Sequence, residues 1–506
     1  MAAYATIPPD DLFAVSKAMF AALAGELAGP AAGALTACEL EELIGEESRK
    51  AVLQLLQDHY DLRALREEQQ ARKHPAPVAG TGGITRTRLE TGHGPLLATL
   101  FGTVTVSRCA WRKPGAPDYL PADAALSLPA GRHSPTLAKL AALEAARSSF
   151  ESAHDAIARR CGPVIGTRQA EESVARSASD ITAFYASRIP EPCPPSALLV
   201  LSADCKGIVM RPRGTPRGHR EGRLETGDDA DPADRRAETE PQANGRPGHR
   251  LRRRARGTPH DVIAPPGGRA GARGLRPGPK ALAKWLAGSV RKDPADMIAA
   301  AFDEAEARDP LHLRTWVVLV GGAEHQLSLI RAEAARRGVT IHIVIDIIHV
   351  LAYLWGAAWS IHPAGDPPPS TGSRPGHSRS WPAAATAPPR SPPEPTRPAC
   401  TQAGAPGADA CVRYLGNKRE FLRYDQALDA GWPIATGVIE GACRHLIADR
   451  LPIGGARWGL DGAEAILTLR AVISNGDFEE YWRFHLACEH QRLYPGINQG
   501  QYALGA

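Results

Sequence analysis

The chain has no pair of cysteines spaced as CxxC. Its nine cysteines (Cys38, Cys109, Cys161, Cys193, Cys205, Cys400, Cys411, Cys443 and Cys488) are scattered over 506 residues. That spacing argues against a zinc ribbon and against a disulfide framework, and a reducing, cytoplasmic setting is expected. Long apolar runs are missing as well: none approaches the ~20 residues that cross a bilayer, so no membrane partner is expected. The opening residues, Met1 to Asp11, lack a basic segment followed by an apolar one and do not read as a signal peptide. Neither sign of charge dominates. Sixty Lys and Arg against 55 Asp and Glu leave a net charge of +5, which permits a polyanionic partner without demanding one. The length exceeds what one core organises, so two to four domains are expected.

Residues from about Asp11 to Gln70 read as helix, with Val52, Leu55, Leu56 and Tyr60 as the apolar face. Thr85–Leu89 and Thr103–Cys109 read as strands; in the second, Val104 and Val106 alternate with polar neighbours. Residues 134–188 return to helix. Phe150–Ile157, a glycine-containing turn at 161–167, and a helix opened by Thr167 as N-cap give the outline of a helix-turn-helix, an outline that ordinary helical hairpins share. Further on, Ser196–Ile208, Trp316–Val320 and Ile341–Ile345 read as buried strands. Ile347–Trp359, Gly437–Leu451 and Asp461–Ser474 read as helices, the last capped by Asp461, stopped by Gly476, and packing through Ala463, Ile466, Leu467, Leu469 and Val472.

Two stretches break this pattern. Residues 211–279 carry 16 arginines with much glycine and proline, and residues 363–410 hold 13 of the 44 prolines. Neither has the apolar periodicity that buries a core, so both are expected to lack ordered structure.

Three places carry chemistry. Asp204 ends a buried strand, a usual position for a magnesium ligand, although a strand-end Asp is also a common turn residue. Asp346 and His349 close the third strand and open the next helix as a DxxH; capping plus a core histidine gives the same text. Glu440 falls in the first turns of a helix whose cap is Thr436, with Arg444 four residues on as an ion-pair partner. The order strand–Asp, strand, strand–DxxH, long insertion, helix–Glu is more specific than any element. It is the chain order of an RNase H-like catalytic core, in which carboxylates hold two magnesium ions for in-line attack on a phosphodiester. The fold class expected is therefore α/β: an RNase H-like core with a helical insertion, preceded by a mainly helical DNA-binding region.

The same residues resemble the ISKra-type transposases of bacterial insertion sequences. The stretches that carry the likeness are Leu199–Ile208, Trp316–Gln326, Ile341–Trp355, and above all Gly431–Leu446 continuing through Arg457-Trp458, Arg470-Ala471, Asn475-Gly476 and Arg492–Pro495; Arg88–Thr91 and Ser149–Glu151 add to it. The resemblance implies Asp204 and Glu440 as catalytic, metal-holding carboxylates, and Asp346 with His349 as the DxxH signature shared with Mutator-like transposases. It implies Mg2+ in a two-metal site. Its partners would be DNA, as terminal inverted repeats and target, with a homo-oligomer assembled there and nucleoid association when bound. Arg168, Arg444 and Arg457 are the candidate DNA contacts. The second catalytic Asp of the family stands in a Val-Asp-Gly motif; here the text is Val320-Gly321-Gly322, and Gly321 cannot ligate a metal. Domains are expected at 1–80 (helical arm), 81–190 (small β unit and helix-turn-helix), 191–362 (first part of the core), 363–410 (insertion) and 411–506 (the end of the core with Glu440). The two atypical stretches depart from the family, as compensated frameshifts or as selected disorder would. The function implied is metal-dependent strand cleavage and transfer, impaired in this copy. The alternatives are a remnant that only binds DNA, or a structural protein whose carboxylates serve the fold.

Overall fold

A computed structural model describes residues 12–73, 78–79, 83–190, 196–211, 242–252, 281–361 and 406–495. In chain order these form helices α1 (Ala14–Ala28) and α2 (Ala37–Lys73), and short strands β1 (Val78–Ala79), β2 (Thr85–Arg86), β3 (Arg88–His93), β4 (Leu96–Ala98), β5 (Thr103–Thr105) and β6 (Arg108–Arg112). Helices α3 (Pro121–Leu126), α4 (Pro135–Arg147), α5 (Phe150–Cys161), α6 (Thr167–Ser177) and α7 (Ile181–Ser187) follow. Next come strands β7 (Ala197–Gly207), β8 (Gln242–Arg252) and β9 (Ala281–Ala287), α8 (Pro294–Arg308), β10 (Trp316–Val320), α9 (Glu324–Arg337) and β11 (Ile341–Ile345). The chain continues through α10 (Ile347–Ile361), α11 (Pro406–Asn417), α12 (Tyr424–Asp429), α13 (Gly437–Cys443), α14 (Leu460–Asn475) and α15 (Phe478–Leu493). Two compact units result: one takes the chain up to Ala186 together with everything from Asp477 on, the other runs from Ser187 to Gly476.

In the first unit the expected single amino-terminal helix is two. Gly29 takes an extended backbone at the end of α1, and Pro30 follows, which cannot continue a helix. The apolar face of α2 is also shifted from the expected one. Leu53, Leu56 and Tyr60 pack on Leu97, Val104, Val106 and Leu128, whereas Leu55 is exposed. Gln57 clips α2 to β5 with two amide contacts: its Nε2 donates to the Thr105 carbonyl (2.9 Å) and its Oε1 accepts from the Thr105 N–H (2.8 Å). Helices α4, α5 and α6 close on a small core of Leu137, Ala141, Ile157, Cys161, Ile165 and Ala170. Each is started locally. Ser134 caps α4 ahead of Pro135, and Ser149 caps α5 by accepting from the Ser152 N–H at 3.1 Å. The cap of α6 is Gly166, not Thr167, with the Gln169 side chain reaching back to the Gly166 N–H (3.1 Å). Helix α15 joins this unit through Tyr481, whose hydroxyl donates to the Ser177 carbonyl (2.6 Å) and whose ring meets Phe184 edge-on at 5.6 Å.

The second unit is a mixed five-stranded sheet in the order β11-β10-β7-β8-β9. β7 pairs parallel with β10 and β10 with β11, while β8 runs antiparallel to both β7 and β9. Trp316-Val-Val-Leu-Val320 is buried at every position, as a central strand covered on both faces must be. Its packing partners include Leu199, Leu201, Phe302, Leu327, Ile330 and Ile345. Strand β8 corrects the expectation that residues 211–279 would lack structure. A ladder is made of backbone N–H and C=O groups, so Gln242–Arg252 can pair on both edges without an apolar pattern. The rest of that stretch after Arg211, and the proline-rich stretch as far as residue 405, lie outside the described residues. Near the end, α14 starts after Gly459, two residues earlier than an Asp461 cap would give, and stops at Gly476 with φ 81°. Its expected core face is buried: Ala463, Ile466, Leu467, Leu469 and Val472 are all inaccessible.

Candidate functional site

Strand register assembles the site. Val320 pairs with Ala203 on one side and with Ile345 on the other. The next residues, Asp204, Gly321 and Asp346, are therefore drawn into one row where the parallel pairing ends; Asp204, expected to end its strand, lies inside β7, which runs on to Gly207 because β8 continues to pair with it. Neighbouring strands lie about 4.8 Å apart, so the row is compact. Gly321 occupies its middle.

Asp204 is half-buried, and its Oδ1 accepts from the Cys205 N–H at 2.8 Å. Helix α13 packs beside β7 and supplies a second partner, the Cys443 thiol. Burial, the Asp204 charge and the hydrogen bond to Asp204 push that thiol up to about 12, so it stays protonated and donates. Glu440 lies three residues before Cys443, on the same side of α13, and is exposed. Arg444 does not pair with it. The Arg444 N–H still reaches the Glu440 carbonyl, but the π turn over Arg444–Ala448 brings Asp449, five residues on, into line with Arg444, whose Nε lies 3.5 Å from it.

Asp346 is buried and committed. Its Oδ1 accepts from the Ile348 N–H (2.8 Å), capping α10, and its Oδ2 accepts from the Thr436 hydroxyl. Thr436, expected to cap α13 with its side chain, stands at the cap position but turns its hydroxyl to Asp346. One carboxylate thus ties the starts of two helices to the sheet. His349 is exposed rather than a core histidine, and its ring lies against Gly321: a Cβ placed on Gly321 would sit 2.6 Å from His349 Nε2 and 2.8 Å from Cδ2. Two tyrosines brace the row from behind. Tyr414 donates to the Gly321 carbonyl (2.9 Å) and stacks on Tyr353 at 3.9 Å; Tyr424 donates to the Ile345 carbonyl (2.9 Å). Burial pushes the Tyr414 hydroxyl up to about 12 and raises that of Tyr424 as well, which keeps both as donors.

These residues do not fit a two-magnesium centre. Mg2+ asks for a near-octahedral shell of oxygens. Asp204 shares its carboxylate with a thiol and a backbone N–H, Gly321 offers nothing, both oxygens of Asp346 are engaged, and Glu440 stands exposed. Among the described residues, the one trio of His, Cys, Asp or Glu with ligand atoms within 4.8 Å of one another is Asp180, His485 and Glu489, in the first unit. A cation already serves that trio: Arg492 lies 2.6 Å from Asp180 Oδ1 and also pairs with Glu489, while His485 Nδ1 meets Asp180 Oδ2 at 2.6 Å. It is an internal ion-pair network.

The three candidate DNA contacts are exposed but do not converge on one element. Arg168 lies on the first turn of α6 beside Glu172 (3.1 Å), Arg444 is on the π turn, and Arg457 is in the loop before α14, its carbonyl accepting from Arg211 Nε at 3.0 Å. Cys443, Tyr414 and the hydroxyl of Thr436 were not anticipated as parts of the site. The i+3 spacing from Glu440 was a readable signal for Cys443; Tyr414 reaches Gly321 only through tertiary packing and leaves none. No family model matches the chain, and no curated protein matches it.

Proposed function

We propose that this chain is an RNase H-like transposase of the ISKra kind whose strand-cleaving centre is incomplete, so that it engages DNA ends and cuts them poorly or not at all. The observation that carries the reading is the registered row of Asp204, Gly321 and Asp346 where the parallel pairing ends, with the Glu440 helix packed beside β7. A central first strand with an antiparallel partner, β8, and then β9 on one side, and two parallel strands on the other, supports such a core. The carboxyl ends of parallel strands are also where open α/β sheets bind ligands. The missing carboxylate falls at the middle of the row, where a metal-holding side chain is needed most. The packed trio α4, α5 and α6, joined by the Gly162–Gly166 turn, supports duplex binding by the first unit, with Arg168 on the first turn of the second helix of the motif.

Two residues at the site are accounted for without catalysis: Asp346 in the row holds helix starts together, and Cys443 beside it holds α13 against β7. That favours, within the same reading, a copy that binds without cutting. The test is strand cleavage on labelled duplex carrying the terminal repeats that flank the chain's own gene, in magnesium and in manganese, with binding followed in parallel. Retention of the duplex with no cleavage is the expected result. Robust cutting by the unaltered chain that is lost in Asp346→Ala would overturn it, because Asp346 would then be the third carboxylate.

A further inference from the structure

The first unit holds a cavity of about 830 Å3. All its walls belong to that unit: the loop from Leu126 to Pro135, the start of α4, the last turns of α6, and α15 with Tyr494. Arg483, Leu486, His490 and Leu493 recur at helical spacing and turn one face of α15 toward it. The floor is apolar, with Leu128 and Trp482 buried and Leu126 and Leu486 partly so. The rim is cationic. Arg176 and Arg483 are exposed there, and among the described residues neither guanidinium has a hydrogen-bond or ion-pair partner. A Cβ on Gly131 would stand 3.1 Å from Arg176 Nη1, which places that guanidinium against the loop. The carboxylate in the walls, Glu489, is already paired with Arg492. Two further marks point to a ligand. His133 Nδ1, in the wall, is shut from water and makes no hydrogen bond, an orphan of the kind that a bound group accounts for. Ser127 holds the left-handed region at φ 48°, a strained backbone for a residue with a side chain and one that gathers at ligand clamps. Its hydroxyl meets His490 Nδ1 at 2.9 Å and so ties the loop to α15.

We propose that this cavity binds a small organic anion, its carboxylate, phosphate or sulfonate head held by Arg176 and Arg483 and its apolar body seated against Leu128, Trp482 and Leu486. A guanidinium grips such a head through two parallel N–H donors, and the body gains by leaving water. The volume falls within the ~300–1,000 Å3 of small-molecule sites. Because the walls come from both segments of the discontinuous unit, an occupant bridges α15 to the loop and stabilises the unit by mass action. This site owes nothing to Asp204, Glu440 or a duplex, and stands or falls apart from the transposase reading.

The full chain is titrated by calorimetry with 8-anilinonaphthalene-1-sulfonate, which joins an acidic head to an apolar body, and with N-phenyl-1-naphthylamine, the same rings without the acid. Near-ultraviolet circular dichroism checks the fold of every variant, since the sulfonate also binds loosened states. One sulfonate should bind per chain and, at a hundredfold excess over its Kd, raise the Tm by about 5 °C. Arg176→Gln and Arg483→Gln should each weaken the sulfonate about 10-fold, the loss of a charge-assisted contact, and leave the neutral amine within about twofold. Ala138→Trp, which fills the cavity from α4, should block both compounds. Sulfonate affinity unmoved by either arginine variant, or equal weakening of the two compounds, overturns the anion site. Several sulfonates bound per chain, undiminished by A138W, would place them on exposed apolar surface and overturn it too. Displacement of the sulfonate by terminal-repeat duplex but not by a mononucleotide would make these arginines part of a DNA face and overturn the small ligand.

Discussion

Asp346 shows how a residue with the right chemistry can be held by the wrong duties. A carboxylate with one oxygen on a helix-start N–H and the other on a buried hydroxyl stabilises the fold through both, and turning it toward a cleft would orphan both donors. Asp346→Ala removes a cap, worth about 1 kcal/mol, and leaves the buried Thr436 hydroxyl unsatisfied at a further cost of about 1–3 kcal/mol. We expect denaturant unfolding of the second unit to shift by about 2–4 kcal/mol in D346A, and by much less in D346N, which keeps an acceptor for the Ile348 N–H. Equal loss in both variants would show that the charge, not the capping, matters. A second residue makes a pH prediction. Asp123 in the first unit is pushed up to about 6 by burial, against the opposing pull of Arg108, whose Nε lies 2.9 Å away without the alignment of a hydrogen bond. Its folded value exceeds its ordinary 3.8, so the native unit binds the extra proton between these values. Stability from this group is full below 3.8 and is lost as pH rises through about 6. Asp123→Asn should flatten that limb of the stability–pH curve for the first unit; an unchanged slope would mean that the Arg108 pairing outweighs burial.

At the scale of elements, legibility followed the reach of the forces. Strands β7, β10 and β11 announce themselves as apolar runs, because a strand covered on both faces needs nothing else; Gly321 and Asp346 directly follow β10 and β11 as expected, whereas β7 runs past Asp204 to Gly207 along β8. Helix α14 was readable from its period and from Gly476. What could not be read was set by partners far along the chain. Nothing in Gln242–Arg252 marks a strand, since its place is given by β7 and β9 on either side. Thr436 looks like a local cap, and only its distant contact with Asp346 says otherwise. The Arg444–Ala448 π turn likewise gave Arg444 a partner five residues on, Asp449, that regular helix spacing does not offer. Acid sensitivity of the second unit also belongs to this scale. Glu333 on α9 is held down to about 2, first by its hydrogen bond from Arg336 and then by Arg337, and Arg337 carries the grip on to Asp303 (2.6 Å) and Glu306 of α8 (2.5 Å). A carboxylate lowered from 4.5 stabilises fully above that value and loses its contribution as pH falls toward 2. Arg337→Ala should therefore both destabilise the α8–α9 pair near neutral pH and shrink the stability lost on acidification. A variant that kept the wild-type acid limb would show that Arg336 alone sets Glu333.

At the scale of the molecule, the first unit is discontinuous, and that decides how the DNA binding proposed for it can be tested. A fragment ending near residue 190 looks like the whole amino-terminal region, yet it lacks α15. Phe184 would lose the rings of Tyr481 and Phe484, at 5.6 and 5.7 Å, the Ser177 carbonyl would lose the Tyr481 hydroxyl, and Asp180 would be left buried without His485 and Arg492. Removing the partners of a buried carboxylate alone costs several kcal/mol, a large share of the stability of a unit of this size. We expect residues 1–190 expressed alone to melt without cooperativity and to bind duplex weakly. The two segments also suggest the remedy. Tyr185 and Asp477 touch through a 3.0 Å hydrogen bond, so the chain leaves and re-enters this unit at nearly one point. Joining residue 186 to residue 477 with a short Gly/Ser linker should give a fragment that melts cooperatively. If it binds duplex as proposed, its affinity should fall steeply with salt, because each Lys or Arg placed on a phosphate releases counterions. Within it, Arg168→Ala should weaken binding and reduce the salt slope by about one if Arg168 meets a phosphate. A cooperative, salt-sensitive 1–190 fragment would show that α15 is dispensable. A joined fragment that folds but holds no duplex would move DNA recognition out of the first unit altogether.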